Sequence, residues 1–451
     1  MKILMNISMF FIPAIFSFIV YIGSTYRRGG QRKGQIFLLY FFSINVCTFL
    51  VSCARGIGTF HFETMTVSYR FKYILLGLFF GLLFWSVSQL PKFESYRAEQ
   101  RSHELDFLKL LFALCIFIFH SRGSGGENTN IILPGQMGAV SVYFFFMVSG
   151  MLMANSIVKK EEISTEYGKL ALHFVIRKIK IVVWDVYAAL FVFMSIYIFT
   201  IAPEQITSTL VKTIPALLFA IRAGIDITYN APTWYLSAMF LCMLPLSYLL
   251  YKKRDFTLYI LAPLLALFTL GWSCQTNDYC FLLQEEMYGV FLGDIYTAVC
   301  GLCFGICAYN MYIRLYRASL NENMRMILTF AEVFLYAVFF GTWFLIRDNR
   351  ALMSVVLILP IVVATTFSGK SYIVKLFQFE WMKWFAPLSL KIYLNHWIGR
   401  ILVQKYFEGN SYGVCVLMMA VFMLCSCLLS TVTIKIGKYI WEKRLKIVIT
   451  N

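Results

Sequence analysis

The 451-residue chain is 60% hydrophobic and 18% aromatic, with only 14% charged residues and a mean hydropathy of +0.71. That composition excludes a soluble globular domain. The net charge of +17 sits in short Lys and Arg clusters between apolar runs, which reads as a set of membrane-topology signals and not as a nucleic-acid surface.

Apolar runs of about 17 to 25 residues, the length a helix needs to cross the hydrocarbon core, recur along the whole chain. They predict an all-α fold, a polytopic transmembrane helix bundle of 13 spans. The first three, 5–23, 35–54 and 71–90, fall in an N-terminal extension, 1–95. "MNISMFFIPAIFSFIVYIG" lacks a small-residue cleavage site and reads as a retained span. Ten more follow at 106–120, 137–157, 181–202, 233–251, 256–273, 289–310, 326–346, 350–367, 386–407 and 412–434, then a basic cytoplasmic tail over 437–451. With this count every strongly basic loop falls on one side, so the N-terminus is expected outside and the C-terminus in the cytoplasm.

The segment "ITSTLVKTIPALLFAIRAG", 206–224, resists the scheme because Lys212, Pro215 and Arg222 interrupt it. It reads as interfacial or re-entrant. Twelve cysteines show no metal-ligand spacing, so no metal site is expected. Most read as small buried hydrophobes, and Cys274 and Cys280, flanking "SCQTNDYC", form the one pair placed for an external disulfide.

Five segments carry residues with chemical potential. In "ELDFLKLLFALCIFIFH", Lys109 and His120 are eleven positions apart, which returns to within roughly 20° of one helix face at a separation of roughly 16 Å. They line one path or, in the plainer reading, Lys109 snorkels to the interface and His120 meets water at a helix end. Asp106, three positions before Lys109, is placed to pair with it. In "SVYFFFMVSGML", Ser149 and Gly150 interrupt a bulky helix, where small residues also serve close packing. "FVIRKIK" concentrates Arg177, Lys178 and Lys180, either as topology signals or as a cluster suited to a phosphate-bearing ligand. Trp234 and Tyr235 open the span "PTWYLSAMF", where an interfacial aromatic belt is the default reading. "APLSLKIYLNHWIGRILV" places Lys391, Tyr393, Asn395, His396 and Arg400 in one span, costly unless they face a cavity or one another. Asp294 and Glu332 are further intramembrane acids. No P-loop, GxSxG elbow or HExxH pattern is present.

Taken in order over roughly 103–436, these motifs resemble the acyltransferase 3 family of integral-membrane acyltransferases. The opening helix resembles the family's basic residue, ten residues, then histidine, met by Lys109 and His120. "FVIRKIK" resembles its basic R-x-x-R loop, and "APLSLKIYLNHWIG" its late S-x-x-x-Y-L-x-H helix. The resemblance implies transfer of an acyl group, most often acetyl, from cytoplasmic acyl-CoA to a hydroxyl of a surface or exported polysaccharide or its lipid-linked precursor.

By that carry-over His120 acts as general base or transient acyl carrier, with Lys109 and the basic loop handling CoA phosphates or developing charge. Arg177, Lys178 and Lys180 would bind acyl-CoA, and Asp106, Ser149, Trp234, Tyr393 and His396 would line the cavity. Lys180 stands where the motif has its second arginine and lacks a bidentate guanidinium. The expectation is an O-acetyltransferase of the bacterial inner membrane, stand-alone and without a bound cofactor, using acetyl-CoA as donor substrate. Its expected partners are the bilayer, the glycan or lipid-linked sugar acceptor and envelope-biosynthesis proteins. Succinyl or another acyl group is the enzymatic alternative, and a polysaccharide flippase the non-enzymatic one. A flippase would be expected to show paired broken helices, and the sequence has one broken segment.

Overall fold

The computed structural model describes residues 103–450 apart from 122–136, 160–164, 202, 221–229, 277–286, 289–290, 346–348 and 373–379. The three N-terminal spans, the glycine-rich loop after His120 and Cys280 therefore lie outside the described residues.

The described chain is helical: α1 His103–Ser121, α2 Met137–Val158, α3 Tyr167–Ile196, α4 Ile206–Leu217, α5 Trp234–Lys252, α6 Ala262–Thr276, α7 Gly293–Arg317, α8 Glu322–Leu345, α9 Asn349–Ser368, α10 Phe385–Tyr406 and α11 Tyr412–Thr450. A short turn of helix, Arg254–Phe256, and a π-helical turn, Thr257–Leu261, lead into α6. A two-residue antiparallel pair, β1 Met287–Tyr288 and β2 Phe291–Leu292, precedes α7, with Met287 opposite Leu292. Among the described residues six helices are long and apolar enough to cross a membrane.

Helices α2 and α7 form the centre of the bundle, and glycine sets their separation. A Cβ at Gly150 would sit 2.1 Å from the Leu302 carbonyl oxygen, and one at Gly305 would sit 2.0 Å from that of Met147. Only hydrogen fits at either position. Close backbone approach of this kind is how membrane helices gain packing energy where lipid offers no hydrophobic drive. Gly150 thus takes the packing role, while its neighbour Ser149 turns its hydroxyl to Tyr235 Oη at 3.3 Å. Tyr143, Phe144, Phe146 and Met147 of α2 are fully enclosed around this seam.

The periphery has the opposite character. Phe191 on α3 and Leu417 and Leu428 on α11 are each more than 60% exposed. Rows of large apolar side chains on long helices are stable in that position against lipid or another apolar surface, not against water.

Two boundaries differ from the sequence reading. The basic cluster of "FVIRKIK" is not a loop, because α3 begins at Tyr167 and carries Arg177, Lys178 and Lys180 on helical turns. Leu, Lys and Arg are good helix formers and no Gly or Pro follows Gly168 within the helix, so nothing stops it before the span begins. The stretch 437–451, read as a tail, continues α11 without a break as far as Thr450.

The broken segment folds as the short helix α4 laid along α3. Ile206, Leu210, Val211 and Ile214 are exposed, as in a helix lying at an interface. Its end follows the Schellman pattern, with Ala220 N–H donating to the Pro215 carbonyl and Phe219 N–H to that of Ala216. Phe219 takes the left-handed position usual for glycine, at φ 52°. Its ring packs against Phe240 and Tyr187, contacts that offset the backbone cost of about 1–2 kcal/mol.

Candidate active site

The site is built where α1 ends against α10. Ser121 fixes the end of α1: its hydroxyl donates to the Ile118 carbonyl at 2.7 Å and lies 2.9 Å from Tyr412 Oη at the start of α11. His120 is thereby presented to α10, where Tyr393, His396, Trp397 and Arg400 follow the i, i+3, i+4, i+7 spacing that puts residues on one helix face.

The His120 ring stacks on that of His396, with centroids 5.1 Å apart and planes 28° off parallel. It meets the Trp397 ring edge-on, also at 5.1 Å. Arg400 Nη1 lies 3.4 Å from His120 Nδ1, a long hydrogen bond, and the guanidinium carbon sits 4.7 Å over the Trp397 ring. Trp397 thus holds the cation from one side by a cation–π contact while His120 meets it on another. His396 is enclosed at 0% exposure. Its Nδ1 lies 2.7 Å from the Tyr393 carbonyl, and its Nε2 has no hydrogen-bond partner among the described residues. A buried polar atom left in that state costs stability and commonly marks chemistry.

Beyond His396 the site continues as an aromatic wall. Tyr393 lies 6.0 Å from His396 and 5.6 Å from Tyr235, which in turn contacts Phe146 at 4.5 Å. Polar ends of these residues pin α10 to the start of α5. Tyr393 Oη donates to the Pro232 carbonyl at 2.9 Å, and Asn230 Nδ2 to that of Leu394 at 3.3 Å. Asp294, fully buried at the head of α7, is within electrostatic reach of Tyr393.

The structure therefore gathers His120, His396, Tyr393 and Ser149, the last through its bond to Tyr235. Trp234 belongs to the same wall, packed on Phe146 at 6.1 Å and only 4% exposed. Trp234 and Tyr235 are thus not the interfacial belt their place at a helix start suggests, because that start is covered by α2 and α10.

Lys109 is not brought to His120. It pairs with Asp106 at 3.7 Å near the other end of α1, and Ala113 and Ile116, packed at 0% and 2% exposure, fill the face between. Arg177 and Lys180 are exposed on α3, while Lys178 reaches back over the Phe174 ring at 5.3 Å.

Three further residues complete the site: Arg400, Trp397 and Tyr235. The sequence singles out Arg400, a charge one turn after His396 in an apolar helix, and Tyr235, beside Trp234 at the head of its span, but not Trp397. Nothing in the sequence announces that Arg400 turns toward α1. The two intramembrane acids divide: Asp294 sits by the site, whereas Glu332 accepts from Thr366 at 2.8 Å between α8 and α9. Among the described residues no group of His, Cys, Asp or Glu is arranged to hold a metal ion.

Comparison with known proteins returns one family model, described as an acyltransferase domain, which matches residues 102–435, well over half of the chain. No curated protein and no solved structure matches. The matched interval begins at the head of α1 and ends within α11, so it takes in both helices that supply the histidines. The chain belongs to the acyltransferase 3 family: it is an integral-membrane acyltransferase.

Proposed function

We propose that the chain transfers an acyl group, acetyl in the simplest case, from cytoplasmic acyl-CoA to a hydroxyl of a surface or exported polysaccharide or its lipid-linked precursor. The reaction takes place at His120 and His396. The observation that carries this reading is their convergence: two imidazoles and a guanidinium from α1 and α10 meet beside a buried aromatic wall, and one ring nitrogen has no hydrogen-bond partner among the described residues. Acyl transfer needs a group to take the hydroxyl proton and donors for the charge that develops on the acyl oxygen. Imidazole and guanidinium supply these.

Arg177, Lys178 and Lys180 form the basic surface for the CoA phosphates. Their place on a rigid helix rather than a loop fixes the spacing of the charges. Lys109, held by Asp106, serves the same donor and stands apart from the reacting groups. The enzyme works in the bacterial inner membrane, with the donor entering from the cytoplasm and the acceptor from the outer side.

Ester-linked acyl groups on purified surface glycan, measured by NMR from cells with no copy and with wild type, test the reading. An acyl signal that depends on the protein, at constant total glycan, supports it and names the acyl group. Unchanged acylation with less surface glycan would instead indicate a transporter.

A further inference from the structure

The two histidines are alike in the sequence and differently held in the structure. The Tyr393 carbonyl has no hydrogen to give, so the 2.7 Å contact requires that His396 Nδ1 carry the proton. The lone pair of neutral His396 then lies on Nε2, the enclosed nitrogen without a hydrogen-bond partner among the described residues. The guanidinium of Arg400 is a donor and never an acceptor, so the 3.4 Å contact requires the reverse at His120. Its Nδ1 offers the lone pair and its Nε2 carries the hydrogen.

We infer that the pair is held in opposite tautomers, and that Arg400 is the positioning residue that makes His120 a hydrogen-bond donor and leaves His396 as the base. This rests on the acyltransferase reading and divides its labour. His120 Nε2–H donates to the acyl carbonyl oxygen, whose negative charge grows as the acceptor oxygen attacks, and the adjacent guanidinium stabilises the same charge. The acceptor O–H bond breaks, its proton passes to His396 Nε2, and a bond forms between the acceptor oxygen and the acyl carbon. The carbon–sulfur bond then breaks, and the CoA thiolate takes the proton back from His396. No other reagent is needed. Because His396 is enclosed, the acceptor must part the two rings to reach it, and catalytic hydrogen bonds commonly tighten only on binding.

Trp397 and Arg400 are the parts that make this arrangement specific. A lysine at 400 would keep a charge and a donor but not the planar group stacked on an indole.

The direct test is nitrogen-15 NMR of the full chain in nanodiscs, labelled at histidine, at about pH 8, where an unperturbed imidazole is neutral. The chain has five histidines, and His120→Gln and His396→Gln variants identify the two signals. The expected result is Nε2–H for His120, Nδ1–H for His396, and loss of the fixed tautomer at His120 alone in Arg400→Met, with partial recovery in Arg400→Lys. In a parallel thiol-release assay His120→Gln, whose amide can donate but not accept a proton, retains at least about tenfold more turnover than His120→Ala, a modest share of what an oxyanion donor supplies. His396→Gln shows no such advantage over His396→Ala.

An Nδ1–H signal at His120, a His120 tautomer indifferent to Arg400→Met, or equal turnover of His120→Gln and His120→Ala would overturn the inference. Opposite tautomers in a wild-type protein that releases no thiol would uphold the positioning by Arg400 and overturn the transferase reading instead.

Discussion

Helix α10 has two polar faces, and they are finished differently. On one, Asn395 Oδ1 accepts from Ser426 at 2.7 Å and Ser430 at 2.8 Å, its Nδ2 donates to the Lys391 carbonyl at 2.9 Å, and Lys391 Nζ donates to Thr431 at 2.7 Å. Each of these groups binds α11 or the helix itself. On the other, His396 and Arg400 face His120 of α1, with one long contact and one enclosed nitrogen that has no hydrogen-bond partner among the described residues. A satisfied network stabilises; an unsatisfied one is held in place by the rest of the fold and is available to a substrate. The same helix is a strut on one side and the proposed reaction surface on the other.

That contrast separates the effects of mutation. The largest is expected on the open face. His120→Ala and His396→Ala should each lower acyl transfer by about 10²- to 10⁴-fold, the range of acid–base groups, while the protein elutes from size exclusion like wild type. Next is the seam that neither face touches. Gly305→Leu drives a side chain into the Met147 backbone; overpacking costs about 1–3 kcal/mol even where neighbours yield, and here the neighbour is main chain. Loss of folded protein from the membrane, read by fluorescence-detected size exclusion, is the expected outcome, with Gly168→Ala on the open start of α3 as the tolerated control.

A smaller change is expected on the closed face. Asn395→Leu removes the acceptor shared by Ser426 and Ser430, and interhelical hydrogen bonds in membranes are worth about 0.6 kcal/mol each on average. A thermal-unfolding scan should show a lowered midpoint, with turnover per folded molecule kept within a few-fold. If Asn395→Leu instead abolished turnover at full stability, the division between the two faces would be wrong. The smallest effect is Ser149→Ala. It removes a 3.3 Å bond to Tyr235 at the far end of the aromatic wall and should cost at most about 1 kcal/mol in the same scan.

The sequence announces most of the helices because lipid imposes their length and hydrophobicity, and each of the ten spans from 106 onward has a helix at its place. It also points to His120, His396, Tyr393 and Ser149, since polar groups within apolar spans are few and face inward. It is less informative wherever a helix carries charge beyond the span. The basic stretch around Arg177 and the tail after 437 read as connections because hydropathy falls there, yet helix propensity does not. Helical spacing puts Lys109 and His120 on one face but does not show that Ala113 and Ile116 close the space between. Nor does spacing along α10 show which face turns to α1 and which to α11. That choice depends on Asn395 finding two serines four residues apart on another helix, a match between distant segments that no local pattern displays.

The most direct measurement is release of free CoA thiol by the purified full chain in nanodiscs, supplied with acetyl-CoA and its glycan acceptor, for wild type and for His120→Ala of equal folded content. Acceptor-dependent thiol release by the wild type, reduced at least about 100-fold in the variant, is the predicted result. Equal release by the two proteins would show that the chemistry lies elsewhere than at the paired histidines.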